Sequence, residues 1–309
     1  MNYLLHLLVY FNVFLITALS LNLIVGYAGL LTLAHAGYFA VGAYAYAILN
    51  LTLKYEFLAA TLVGMGISAI LSLAVSLCSW RLRGDFFILA TLAVQALMFS
   101  SIYNWTSVNA PLGSLYNLTN GPFGITGIGR PRILGYEMST LAAMAAFSTA
   151  ISGICAFAIW RLIESPWGRV LIAIRDDELA AANIGKNTRW LKVVVIAIAS
   201  AFVAIAGSLY AAHVRYVDPT IASLDQCTLM LSMVVVGGFG NFRGPFIGAL
   251  VLILLPEILR AISLPDSVAA SLRQLIYGLL LILMMLFRPQ GIAGESEQNL
   301  FHTRKIKSP

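Results

Sequence analysis

Charge is what this sequence has least of. Lys, Arg, Asp and Glu make up 10% of its 309 residues, where a soluble domain carries about 25%, and from Met1 to Leu53 there is none. A soluble globular fold is thereby excluded. With 60% hydrophobic residues and a mean hydropathy of +0.88, the chain reads as an all-α, polytopic membrane bundle. Cysteine is nearly absent as well: Cys78, Cys155 and Cys227 lie in separate apolar runs, which argues against a disulfide framework or a metal site and for small buried side chains. There is no G-x-x-x-x-G-K-[ST] phosphate loop, so the chain is not itself an ATPase of the usual kind, and the glycine run GGFGNFRGP from Gly237 lacks both the Lys-Ser/Thr ending and a preceding strand. No file of acids or histidines occupies mid-span positions, as a proton- or sodium-coupled carrier would show. Neither a metal-ligand cluster nor a nucleophile triad is present, so no catalytic residue, no metal and no enzyme activity are expected. The N-terminus has no basic region, and its apolar run outlasts a signal peptide, so no cleavable leader is expected.

What is present is a succession of apolar runs. Spans of about 20 residues are expected over 1–53 (two crossings turning at Gly26 to Gly29), 57–80, 86–103, 138–160, 193–212, 226–236, 245–262 and 267–287. That makes about nine, or eight to ten if a glycine-rich segment is broken, within one transmembrane domain covering 1–309. The second crossing, LLTLAHAGYFAVGAYAYAIL, is dense in Gly and Ala; it packs on other helices and is a candidate for a broken or re-entrant segment. Residues 104–136, rich in Gly, Pro, Asn and Thr, read as an irregular outer loop, 213–225 as a second one, and 288–309 as a basic cytoplasmic tail. With alternating spans, thirteen of the 19 Lys and Arg fall inside and six outside (Lys54, Arg130, Arg132, Arg215, Arg260, Arg273), which predicts an outside N-terminus and an inside C-terminus. The net charge of +6 is scattered at the ends of apolar runs, so it fits lipid headgroups and orientation, not nucleic acid.

One interval concentrates charge of both signs. Arg161 to Lys192 holds six Lys or Arg and four acids, Glu164, Asp176, Asp177 and Glu178. Ser165-Pro166 opens a helix there and Gly185 closes one, giving a short amphipathic helix or helix pair. Trp167, Val170, Leu171, Ile174, Ala181 and Ala182 fall on one side at helical spacing, with Glu178 near its middle. Two readings follow: a surface loop whose charges only set topology, or a contact surface for another protein. Among intramembrane polar residues, His35 is either a satisfied core side chain or a functional group, and Gln95 either ties helices together or faces a wet path. Thr32, His35, Gln95, Thr228 and Ser232 are the candidates to touch solute.

The chain resembles the permease subunits of branched-chain amino-acid ABC importers, specifically the M-type (LivM-like) family. The resemblance lies in LNLIVGYAGLLTLAHAGYFAVGAY, ESPWGRVLIAIRDDELAAANIGKNTRWLK, AIAGSLYA, SMVVVGGFGNFRGPFIGA and LIYGLLLILMMLFRPQG, in that order over nearly the whole chain. It implies a homologous second permease subunit, two cytoplasmic ATP-binding subunits that bind the ATP, and a periplasmic solute-binding protein, in an inner membrane. This chain itself is then expected to need no cofactor. Glu178, Ala180, Ala181 and Gly185 look like the E-x-A-A-x-x-x-G element of the importer coupling loop, and Arg169, Ile174, Arg175 and Asp177 complete the expected interface with the ATPase. The solute expected from the resemblance is a branched-chain or related amino acid; urea or a short amide, carried by related permeases, stays open, as does a stand-alone channel or carrier.

Overall fold

The computed structural model describes residues 2–79, 84–107, 110–114, 116–133 and 135–261, with scattered positions between 272 and 292. The expected ninth span and tail fall almost wholly outside the described residues, as do Arg81, Arg83 and Arg273. The chain folds as helices α1 (Asn2–Asn22), α2 (His35–Thr52), α3 (Phe57–Ser79), α4 (Asp85–Asn104), α5 (Leu141–Glu164), α6 (Pro166–Asp176), α7 (Glu178–Asn183), α8 (Thr188–Val214), α9 (Leu224–Gly237) and α10 (Gly244–Ala261). Among the described residues five are long and apolar enough to cross a membrane: α1 with a π-helical continuation over Leu23–Tyr27, then α3, α4, α5 and α8. The chain is an all-α membrane bundle.

Helices α1 and α8 form the interior, 78% and 61% of their apolar windows being buried, whereas α3, α4 and α5 are buried over only 33%, 17% and 33% and line the periphery. Small residues bring the interior helices together. A Cβ on Gly207 of α8 would overlap the carbonyl oxygen of Phe39 in α2, and one on Gly42 would overlap Ala204. Ser208 Oγ donates to Gly42 O at 3.1 Å across the same crossing. Polar side chains add cross-links: Asn12 Nδ2 of α1 donates to Ser148 and Thr149 of α5 at 3.1 and 2.9 Å, and Ser68 Oγ of α3 to Ser200 O of α8 at 2.9 Å. Such bonds are worth about 0.6 kcal/mol each on average between membrane helices, so close glycine packing is the larger determinant.

Two interruptions set the architecture. The expected second crossing is helical only from His35; residues 28–34 are a non-helical return from the end of the π-helical turn. The second interruption, residues 215–223, links α8 to α9 and contains a 3-10 turn at Pro219–Ala222. Both reach mid-height of the bundle, because Gln95, the eleventh residue of the 20-residue α4, bonds to the first turn of α2, just past the first interruption, and to the second interruption itself: its Oε1 accepts from Gly37 N at 2.8 Å and its Nε2 donates to Ala222 O. Helix α9, expected to span the bilayer, has 14 residues, about 21 Å, and starts from this mid-level.

At the opposite end from α6 and α7, the two expected outer loops carry short strands where only irregular backbone was expected. β1 (Ile125–Thr126) pairs antiparallel with β4 (Tyr216–Val217), which places loops 104–136 and 213–225 at one end, and β2 (Arg132–Ile133) pairs with β3 (Tyr136–Glu137). Two-residue strands bury too little to leave a period-2 pattern, which is why composition alone read them as turns.

The helix crossing makes a testable prediction. Gly207→Leu should lower the melting temperature in detergent by about 2–10 °C, the effect of about 1–3 kcal/mol of overpacking. Gly153→Leu in α5, where a Cβ meets nothing within 4 Å, should leave it near wild type. Equal melting temperatures would contradict the packing.

Candidate functional site

The charged segment becomes a helix pair because each boundary residue supplies a cap. Ser165 closes α5 and opens α6: its hydroxyl donates to Leu162 O at 2.6 Å and accepts from Gly168 N at 3.3 Å, with Pro166 in the first turn. The elbow is tight enough that a Cβ on Gly168 would overlap Ile163 O. Asp177 is extended (φ −153°, ψ 102°) and breaks the helix, then caps α7 by accepting from Leu179 N and Ala180 N at 2.9 and 3.0 Å. At the far end Gly185 (φ +83°) forms a Schellman turn, Gly185 N donating to Ala182 O at 2.9 Å and Lys186 N to Ala181 O at 3.3 Å. Asn187 then caps α8 by accepting from Trp190 N at 3.1 Å.

The break at Asp177 resets the helical phase. Leu171, Ile174 and Ala181 are buried as expected, but Ala182, placed on the same side by continuous helical spacing, is exposed. Arg169 is exposed and reaches back to Glu164 O at 3.3 Å, serving the elbow.

Two anchors tie the pair to the bundle. Arg175 Nη1 donates to Gly26 O, the π-helical turn of α1, at 2.8 Å, while its Nε and Nη2 hold Asp176 at 3.1 and 3.0 Å. Its stem lies on Gly29, where a Cβ would come 2.7 Å from Arg175 Cγ, and its tip lies on Gly240, where a Cβ would come 2.7 Å from Nη1. Asn22 joins the same junction, accepting from Gly240 N at 3.1 Å and donating to Asn241 O at 3.0 Å. The turn at Gly26 to Gly29 and the glycine run from Gly237 thus converge under α6, and Gly291 packs against Gly238. The second anchor is Glu178, whose carboxylate takes Lys192 Nζ of α8 at 2.7 Å, with side chains 25% and 9% exposed. A cleft of about 300 Å³ between Asp85, Ile174, Arg175, Glu178 and Lys192 opens beside these anchors. The other side of the segment carries apolar side chains into the open: Leu179, Ile184 and Trp190 are 65%, 77% and 60% exposed.

Lys192 and these three apolar residues were not singled out by sequence reasoning. The signal for Lys192 was its placement just inside an apolar run; for the others it was large apolar residues within the most charged stretch.

Of the candidate path residues, three meet at the first interruption. Thr32 Oγ1 accepts from Ala34 N at 3.3 Å, His35 Nε2 pairs with Ser20 Oγ at 2.9 Å, and Gln95 bridges as described, so it ties helices together. Thr91 Oγ1 accepts from Leu33 N at 3.0 Å and Cys227 Sγ donates to Leu33 O at 2.9 Å, completing the seal. Thr228 and Ser232 stand apart on α9, their hydroxyls donating to their own helix at Leu224 O and Thr228 O, 3.0 and 2.7 Å.

A family model described as branched-chain amino acid transport system / permease component matches residues 3–285. The chain is 28% identical to the high-affinity branched-chain amino acid transport system permease protein LivM of Escherichia coli K12, over 91% of this chain and 67% of that protein. It is 26% identical to the probable branched-chain amino acid transport permease protein LivM of Methanocaldococcus jannaschii, over 94% and 92%. A shorter match, 25% identical over 49% of this chain and 46% of the relative, is to the autoinducer 2 import system permease protein LsrC of Escherichia coli O9:H4. No solved structure matches.

The ion pair can be tested directly. Lys192→Met removes the bond that ties Glu178 to α8, and amide hydrogen exchange over 178–183 should accelerate about tenfold, while 193–212 keeps its protection. Exchanging the two residues, Glu178→Lys with Lys192→Glu, should restore it. Unchanged exchange in Lys192→Met would contradict the anchor.

Proposed function

The chain belongs to the family of branched-chain amino acid transport system permease components, and from that premise we propose that the Arg161 to Lys192 segment is where separate ATP-binding subunits drive it. As a member of that family it is a multi-pass membrane transport subunit and not an enzyme. In the proposed arrangement the α6–α7 end faces the cytoplasm, the N-terminus lies outside and the C-terminus inside. A homologous permease and lipid cover the peripheral helices. A periplasmic solute-binding protein delivers solute from the other side of the inner membrane. The solute is a branched-chain or related amino acid, a reading supported by the names of the relatives.

The single observation that carries the coupling reading is the two-sidedness of α6 and α7. Their inner side is fixed to the π-helical turn through Arg175 and to α8 through Glu178 and Lys192. The other side of the segment offers Leu179 on α7, Ile184 just after it and Trp190 at the start of α8, three large apolar side chains that water alone does not favour exposing. A partner seated on those three residues moves α1 and α8 through the two anchors. Movement of α1 pulls on residues 28–34, and movement of α8 pulls on α2 at the glycine crossing. The interruptions that Gln95 holds together are then the parts free to separate, opening a path along Thr32 and His35, with Thr228 and Ser232 on the neighbouring α9 as further contacts.

Uptake of labelled leucine by the complete importer in proteoliposomes tests this. Gly185→Trp and Glu178→Arg should abolish uptake and solute-stimulated ATP hydrolysis with insertion intact. Gly185→Asn, whose side chain tolerates a left-handed backbone, should keep most of both. Wild-type transport by Gly185→Trp and Glu178→Arg, or solute flux through liposomes holding this chain alone, would overturn the reading.

A further inference from the structure

At the end bearing β1 to β4, four basic side chains line one cleft. Lys54, Arg130, Arg132 and Arg215 surround about 490 Å³, and the one acid in its lining, Glu137, is already held by Arg132 at 3.0 Å. Membrane topology disfavours cations outside, where loops are lean in Lys and Arg, so gathering these four in one concavity runs against that pressure.

The backbone points the same way. Lys54 and Arg215 are two of the three described non-glycine residues with left-handed φ, +52° and +60°. They follow the ends of α2 and α8, where glycine or asparagine would stand without strain. A cation near a helix C-terminus complements the macrodipole, but that role asks for no left-handed residue. The strained position fixes where the side chain starts, and Arg215 is fixed further by Nε donating to Ile128 O at 3.0 Å. An adjoining cleft of about 210 Å³ shares Arg130 and Arg215 and adds His6 and His213, which are hydrogen-bonded to each other at 3.1 Å. The basic surface therefore extends across two hollows, wider than one small oxyanion fills.

We propose that this double cleft is a docking surface for an acidic protein segment, whose carboxylates enter between Lys54, Arg130 and Arg215. The proposal rests on the reading that this end faces outside the cell, and it gives the soluble partner on that side a landing site of defined chemistry. Steering by such a surface raises encounter rates and makes binding sensitive to salt.

The test uses the purified chain in phosphatidylcholine nanodiscs, with a short fluorescent polyglutamate peptide as probe and fluorescence anisotropy as readout. Arg130→Gln with Lys54→Gln should weaken binding about tenfold and flatten its salt dependence. Lys186→Gln with Arg189→Gln, at the other end, should leave both unchanged; both double variants are to be checked for a wild-type melting temperature. Equal affinity in the two double variants would overturn the proposal. So would displacement of the peptide from the wild type by inorganic phosphate or by phosphatidylglycerol in the disc, which would assign the cleft to a phosphate ion or a lipid headgroup. Cleft-dependent binding seen only with sealed inside-out vesicles would support the acidic-segment chemistry but overturn its outer location, and with it the sidedness under Proposed function.

Discussion

Hydrocarbon offers no partner to a bare peptide group, and that constraint governs this structure more than any other. A chain buried this deeply in apolar surroundings can interrupt a helix only where side chains stand in for the missing backbone bonds. Thr91 and Cys227 do so for Leu33 in residues 28–34, while Gln95 takes the free amide of Gly37 in the first turn of α2 and binds the carbonyl of Ala222 from the second interruption. Removing those three polar groups from α4 and α9 would leave two unwound segments with no stable place inside the bundle. Their presence makes the centre of the molecule a pair of breaks held shut by a few hydrogen bonds.

Breaks of this kind are useful only if something pulls on them. Arg175 grips the carbonyl where α1 unwinds, and Glu178 binds Lys192 near the start of α8, the helix that crosses α2 through Gly42 and Gly207. In the proposed arrangement the helix pair α6–α7 is a short handle with two attachments, one at each interior helix. The glycines beneath it let backbone and guanidinium approach without a Cβ between them, so the helix pair sits directly on the turn of α1 and the glycine run before α10. Its caps, Ser165, Asp177, Gly185 and Asn187, keep it rigid over a short length.

Much of this was legible beforehand. Proline after serine marked the start of α6, and Gly185 marked the end of α7, because those residues have few other uses at those offsets. The buried face of α6 followed from its period. Past Asp177 the period misled at Ala182, since an aspartate that breaks one helix to cap the next looks, in sequence, like any other acid in a charged helix. The partner of Glu178 was hidden for a different reason: Lys192 lies fourteen positions away and meets it only through the turn at Gly185. Gln95 was legible as a residue needing a partner, while its two partners, an amide in α2 and a carbonyl in the 215–223 return, depend on tertiary placement. The strands β1 and β4 were illegible because each owes its existence to the other loop.

The central claim is that the exposed side of this handle is occupied by the motor. Placing a photo-crosslinking amino acid at Ile184 in the assembled importer measures that occupancy directly. The account predicts a covalent product with the ATP-binding subunit, lost when the crosslinker is moved to Gly153 on the periphery of α5. Products with lipid or with a soluble protein on the outer face, and none with the ATP-binding subunit, would contradict it.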